Sequence, residues 1–142
     1  MGEVIAIHIK SEKRAPMIPL QTARLVEGLG IEGNRGVRPG SHRQVLVMPA
    51  EVLDAFGLKP GDVRENLTTR GLDVMALRPG DRLCIGKVVL EATGDCTPCE
   101  MLDSLQPGLK DALEGQRGML FQVLAGGEIG VGNPIEVAPR EE

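Results

Sequence analysis

Residues 82–102 read RLCIGKVVLEATGDCTPCEML. The first half holds two short apolar runs, 82–86 and 87–93, hinged at Gly86. In the second run Val88, Leu90 and Ala92 fall on one face of an alternating pattern, which predicts a pair of adjacent strands. The second half changes character. Thr97 followed by Glu100 has the form of a capping box. Pro98 falls at a first helical position, where its missing N–H costs nothing. A short helix is therefore expected over 98–105, with Cys99 as its second residue.

Working outward, the same strand-and-turn pattern recurs. Residues 4–9 (VIAIHI) alternate, with Ile5, Ile7 and Ile9 on one face and Val4, Ala6 and His8 on the other. Residues 43–48 (RQVLVM) form a second strand with a continuous apolar end. Pro49-Ala50-Glu51 opens a short helix whose buried stripe is Val52, Leu53 and Phe56, with Gly57 as its stop. Residues 64–69 (RENLTT) read as a strand, or a loop with strand character. A helix over 108–114 carries Leu109, Ala112 and Leu113 and stops at Gly115. Residues 118–125 and 131–137 close the chain as strands, joined through Gly126-Gly127, and Pro134 marks the last as an edge or a broken strand. With 19 Gly and 10 Pro spread between short runs, the chain reads as mainly β. It predicts a barrel or sandwich of roughly seven strands and three short helices, in a single domain over 1–142.

Composition narrows the function. There is no Trp or Tyr and there are only two Phe, so the core must be aliphatic. A net charge of −4 argues against general nucleic-acid binding, and the lack of aromatics removes stacking platforms for single strands. The N-terminal stretch has charges on both sides of its apolar run and does not read as a signal peptide. No run approaches the length of a membrane span. These readings predict a cytoplasmic protein. Three cysteines, Cys84, Cys96 and Cys99, are too few and too uneven for a disulfide framework. Close cysteines in a cytosolic chain point to redox, sulfur or metal chemistry.

Cys99 is the residue this chemistry centres on. The first turn of a helix has unpaired N–H groups and partial positive charge, and both favour a thiolate. A thiolate attacks sulfur, carries a persulfide or binds a soft metal. Cys96, three residues earlier, is a resolving thiol or simply a small buried residue. Cys84 sits amid strand residues and reads as a packed barrel cysteine. Around them, the Gly30–Gly36 loop (GIEGNRG) brings Arg35 and backbone N–H groups as donors for an anion. Glu65 and Asn66 add polar groups that suit the edge of a heterocycle. Arg43 and Arg117 are further candidate cations, each a surface charge by default.

The GIEGNR loop, the RQV strand, the LKPGDVRENLTTRGLDV and LRPGDRLCIG segments, the GDCTPCEML turn and the RGMLFQVLAGGEIGVGNPIEV hairpin occur in an order that resembles a stand-alone bacterial MOSC domain (molybdenum cofactor sulfurase C-terminal domain) over about 24–137. The resemblance implies a compact β-barrel of the MOSC, or pyruvate-kinase β-barrel-like, kind with about three short helices. It implies that Cys99 is the functional cysteine, carrying sulfane sulfur or ligating the molybdenum of a molybdopterin-type cofactor. Arg35, Glu65, Asn66 and Cys96 would then line the cofactor site. Where relatives often read GDRH, this chain reads Gly33-Asn34-Arg35-Gly36.

Family members are linked to pyridoxal phosphate through a fused desulfurase half. This chain has no such half, so no pyridoxal phosphate is expected in it alone. The implied partner is a sulfur donor such as a cysteine desulfurase, or a redox partner, with no nucleic acid and no membrane. The activity is left open between a sulfur transferase and a component of a molybdenum-cofactor-dependent reductase. Two other readings of the residues stand beside it: a small thiol oxidoreductase using Cys96 and Cys99, and a non-catalytic interaction barrel.

Overall fold

Short aliphatic runs with turn residues between them become short strands. The computed structural model describes residues 2–12, 15–36 and 38–138. The outer limits of the expected domain, at Met1 and 139–142, lie outside the described residues. The elements in chain order are β1 (Gly2–Ile9), β2 (Ile18–Leu20), β3 (Thr22–Val26), β4 (Gly30–Ile31), β5 (Val45–Pro49) and α1 (Ala50–Ala55). Then come β6 (Leu67–Arg70), a 3-10 turn (Val74–Ala76), β7 (Arg82–Ile85), β8 (Val88–Asp95), α2 (Met101–Leu105) and α3 (Leu109–Ala112). β9 (Met119–Ala125), β10 (Gly127–Gly130) and β11 (Pro134–Ala138) follow.

Seven strands close a barrel in the order β11-β7-β8-β9-β5-β6-β1, and Gly2 pairing with Ile135 seals it. Its pairs are antiparallel except β5–β6, where Val47 lies beside Leu67. β2 extends the far end of β1, and β10-β3-β4 make a small second sheet. The predicted β-barrel with three short helices is what forms. Three strands between 18 and 31, together with β10, had no continuous apolar run to announce them. Pro134 is the first residue of β11, a position that asks nothing of its missing N–H.

β1 departs from strict alternation. A bulge between Val4 and Ala6 inserts one residue, so Val4 and Ile7 both point inward, fully buried, and Ile5 is only half-buried. The expected Ile5-Ile7-Ile9 face is broken for that reason.

β5 is buried on both faces. Val45 and Val47 join the barrel core with Leu67, Leu90, Phe121 and Ile135. Leu46 and Met48 point the other way. Met48 packs under α1, α2 and α3 with Leu53, Val63, Leu102, Leu109 and Leu113. Leu46 packs with Cys96 and Leu120. The helices thus form an outer layer on one side of the barrel, and the 96–99 segment leads from the strands into that layer.

Candidate functional site

β8 ends at Asp95 and the chain then leaves the barrel. Cys96 stays attached to it. Its N–H donates to the Gly118 carbonyl at 2.8 Å, and its side chain is buried against Leu46 and Leu120. The thiol donates to the Thr97 carbonyl at 3.8 Å. Pro98 is buried and Cys99 is exposed. All three cysteines are free thiols, and Cys84 sits half-buried on β7 between the core residues Leu83 and Ile85.

The helix begins later than the sequence pattern indicates. α2 starts at Met101, and no side chain caps it, so the Thr97–Glu100 capping box does not form. The Cys99 carbonyl accepts the first turn's bond from the Leu102 N–H at 3.1 Å. The anchor at Cys96 and the burial of Pro98 hold residues 96–98 against the barrel, so coiling starts only beyond them. Cys99 therefore stands on the approach to a five-residue helix, not inside its first turn. Positive charge reaches this segment from side chains instead.

The first of these is Lys10. Strand alternation puts it on the same side of β1 as His8, opposite the core residue Ile7. The Gly-rich loop holds its backbone from two directions. The Lys10 N–H donates to Asn34 Oδ1 at 2.8 Å, and its carbonyl accepts the Arg35 N–H at 2.7 Å. Burial, followed by Arg64 and Arg117, keeps the Lys10 pKa below that of an ordinary lysine. A negative charge on Cys96 acts the other way, and Arg43 adds to the lowering. Lys10 is thus the centre of a cation group: Arg43, Arg64 and Arg117 each act on it, and Cys96 lies within its electrostatic reach.

Arg117 is only 4% exposed. Its Nη2 donates to the Val63 carbonyl at 2.6 Å, whereas Nε and Nη1 are buried without partners. Arg64 has φ +62°, the one non-glycine left-handed residue among those described, and its Nη1 donates to the Ala15 carbonyl at 2.8 Å. Such a conformation costs about 1–2 kcal/mol and persists only where surrounding contacts enforce it. Among the described residues no ion pair joins any of the four cations to a carboxylate. Cations gathered and partly dried without acids have the makings of an anion site.

The other residues singled out in the sequence divide by position. Glu65 is fully buried: Oε2 accepts the Gly61 N–H at 3.0 Å and the Thr68 hydroxyl at 2.7 Å, while Oε1 has no partner. Asn66 sews two strands together. Its Oδ1 accepts the Leu46 N–H at 3.0 Å and its Nδ2 donates to the His8 carbonyl at 3.2 Å. Arg35 has an exposed side chain on the loop that clamps Lys10. Sequence reasoning missed Lys10 and Arg64. The one available signal for Lys10 was its place at the end of an alternating strand beside His8. Nothing local marks Arg64. No three His, Cys, Asp or Glu side chains among the described residues converge on a metal position. No helix among them is long and apolar enough to cross a membrane.

No curated protein matches the sequence. The solved structures it resembles include the YuaD protein from Bacillus subtilis, at 21% identity and TM-score 0.82, covering 99% of this chain and 98% of that one. They also include YiiM from Geobacillus stearothermophilus, at 20% identity and TM-score 0.76, with 97% and 75% covered. YiiM from Escherichia coli has 21% identity and TM-score 0.74, with 100% and 72% covered. These likenesses carry the barrel and its outer layer. The family model for the MOSC domain matches residues 34–136, which include Asn34 and Arg35 of the GNRG loop, Glu65, Asn66 and the CTPC segment. The chain belongs to the MOSC domain family.

Proposed function

We propose that this chain binds a molybdopterin-type molybdenum cofactor beside Cys99, or carries sulfane sulfur on Cys99 for delivery to such a cofactor. The observation that carries the reading is the buried guanidinium of Arg117, two of whose nitrogens lack partners, together with Lys10, on which Arg117, Arg64, Arg43 and Cys96 all act electrostatically. A pterin cofactor ends in a phosphate, and this donor set suits a phosphate in charge and in hydrogen-bonding capacity. The fit comes from the residues themselves: the four cations have no acid paired with them among the described residues.

Lys10 and Arg117 would hold the phosphate, with Arg64 and Arg43 at its sides. Asn34 positions Lys10 by fixing its N–H. Glu65, through its unpartnered Oε1, is the acceptor for an N–H of the heterocycle. Asn66 holds the β1–β5 junction that faces it, and Arg35 lies at the rim. When bound, the cofactor supplies a redox-active metal, and Cys99 gives that metal one protein sulfur. In the sulfur-carrier form, Cys99 takes sulfane sulfur from a donor such as a cysteine desulfurase, and exposure makes it reachable by that donor. Cys96 would release it by attacking the inner sulfur of the Cys99 persulfide, which forms a Cys96–Cys99 disulfide and frees the outer sulfur as sulfide, and a thiol reductant then restores both cysteines. Three unpaired thiols suit a reducing cytoplasm.

The test compares wild type with Cys99→Ser and Lys10→Met, purified without reductant after expression with molybdate. Bound molybdenum, pterin fluorescence after oxidation and cyanolysable sulfur are measured. Lys10→Met should lose pterin, and Cys99→Ser should lose cyanolysable sulfur or molybdenum. Equal pterin, sulfur and molybdenum in all three proteins would overturn the assignment.

A further inference from the structure

A concavity of about 370 Å³ reaches the cation group at Arg64. His8 and Arg64 line it together with Met17, Pro60, Met101 and Leu105. Its size lies within the range of small-molecule pockets. Only Arg64 belongs to both the cavity and the Lys10 group, and Met101 follows Cys99 by two residues.

Two polar groups converge on this cavity. Arg64 commits one donor to the Ala15 carbonyl and carries four more N–H groups. His8 is kept open by Gly61: a Cβ there would stand 2.8 Å from His8 Nε2 and about as close to the adjoining ring carbons. Gly61 also has φ +90°, so glycine is required twice over, by the backbone and by the imidazole edge it leaves uncovered. Asp62, the acid on the wall, spends Oδ2 on the Lys59 N–H in its own turn. The remaining walls are thioether and aliphatic, and Leu105 at the mouth is 44% exposed.

We propose that this cavity binds a small organic carboxylate. Its carboxylate group lies on Arg64 and the Nε2 edge of His8, and its aliphatic body lies against Met17, Pro60, Met101 and Leu105. The Arg64 guanidinium and the His8 imidazole edge offer hydrogen-bond partners to the two oxygens of one carboxylate. A phosphate dianion is better served by the Lys10 group next door. An apolar wall favours a ligand with a hydrocarbon body over an inorganic anion. The site shares Arg64 with the cation group of the cofactor reading and adds His8, which that reading does not use.

Methyl-labelled methionine provides the readout, since Met17 and Met101 stand on two walls. Hexanoate should shift both methyl signals saturably, and hexanamide should bind about tenfold more weakly or not at all. Leu105→Glu, at an exposed position that folding tolerates, should weaken hexanoate about tenfold by placing a like charge at the mouth. Lys10→Met should leave hexanoate affinity within about twofold of wild type while removing the response to inorganic phosphate. The proposal is overturned by any of three results: no saturable shift in wild type, equal binding of the amide, or wild-type affinity in Leu105→Glu. Loss of hexanoate in Lys10→Met alone also overturns it, because the carboxylate then belongs to Lys10 and not to Arg64 and His8. Absence of molybdenum, pterin or bound sulfur refutes the cofactor reading without touching this result.

Discussion

β5 faces two different solvents. Its inward residues, Val45 and Val47, meet Leu67, Leu90 and Phe121 in a barrel lumen filled with aliphatic side chains. Its outward residues, Leu46 and Met48, meet a layer made from the 96–118 stretch, α1 and the 61–66 turn, and there polar groups are left incompletely bonded. The lumen is close-packed for stability. Arg117 and Glu65 in the outer layer, and His8 on β1 beside the Gly61 turn, have buried polar atoms without hydrogen-bond partners, as do Thr69 on β6 and Arg82 on β7. Net charge sharpens the contrast, since a chain at −4 gathers three arginines within electrostatic reach of Lys10.

Mutations on the two sides should behave oppositely. Phe121→Ala empties the lumen of its largest fully buried side chain and should cost about 3–5 kcal/mol in urea unfolding. A cost under about 1 kcal/mol would mean that the barrel is loosely packed. Cys96→Ser puts a hydroxyl among Leu46 and Leu120 and should cost about 1–2 kcal/mol, whereas Cys99→Ser, at an exposed position, should stay within about 0.5 kcal/mol. Equal costs would erase the distinction between anchor and reactive thiol.

Arg117→Met should leave stability unchanged or slightly raised, because it removes a buried, partly unsatisfied charge at the loss of one hydrogen bond to Val63. The same variant should lower affinity for inorganic phosphate by about tenfold, measured calorimetrically. A strongly destabilised Arg117→Met would make the residue a structural strut instead of a ligand group.

The smallest effect is in pH dependence. Lys10 has a folded pKa below its unfolded value, so the unfolded chain binds more protons between the two. Stability should therefore fall as pH drops from the ordinary lysine value of 10.5 through the lowered one, and Lys10→Met should lack that part of the profile. Saturating phosphate should shrink the same difference, since an anion restores the charged form. Identical wild-type and Lys10→Met profiles over that range would remove Lys10 from the cation group.

Much of the fold was legible. The alternation in 82–93 and the turns at Gly and Pro led to the barrel, because side-chain period and turn chemistry are local properties. The short strands β2, β3, β4 and β10 were not legible, since two to five residues carry too little period to read. The bulge in β1 was hidden for a different reason: it exists only through pairing with β6.

The sequence by itself determined a mainly β chain with an aliphatic core, and its ordered motifs, with Cys99 in the CTPC segment, pointed to the MOSC family. Where that cysteine's charge environment comes from was decided by tertiary structure alone. Cys96 pinned to Gly118 keeps the helix from starting at Pro98, so backbone dipoles do not define the site. Lys10, Arg43, Arg64 and Arg117 are far apart along the chain, and strand pairing and loop closure bring them together. Electrostatic interaction depends on distance through space, and the separations that matter exist only once the barrel has closed.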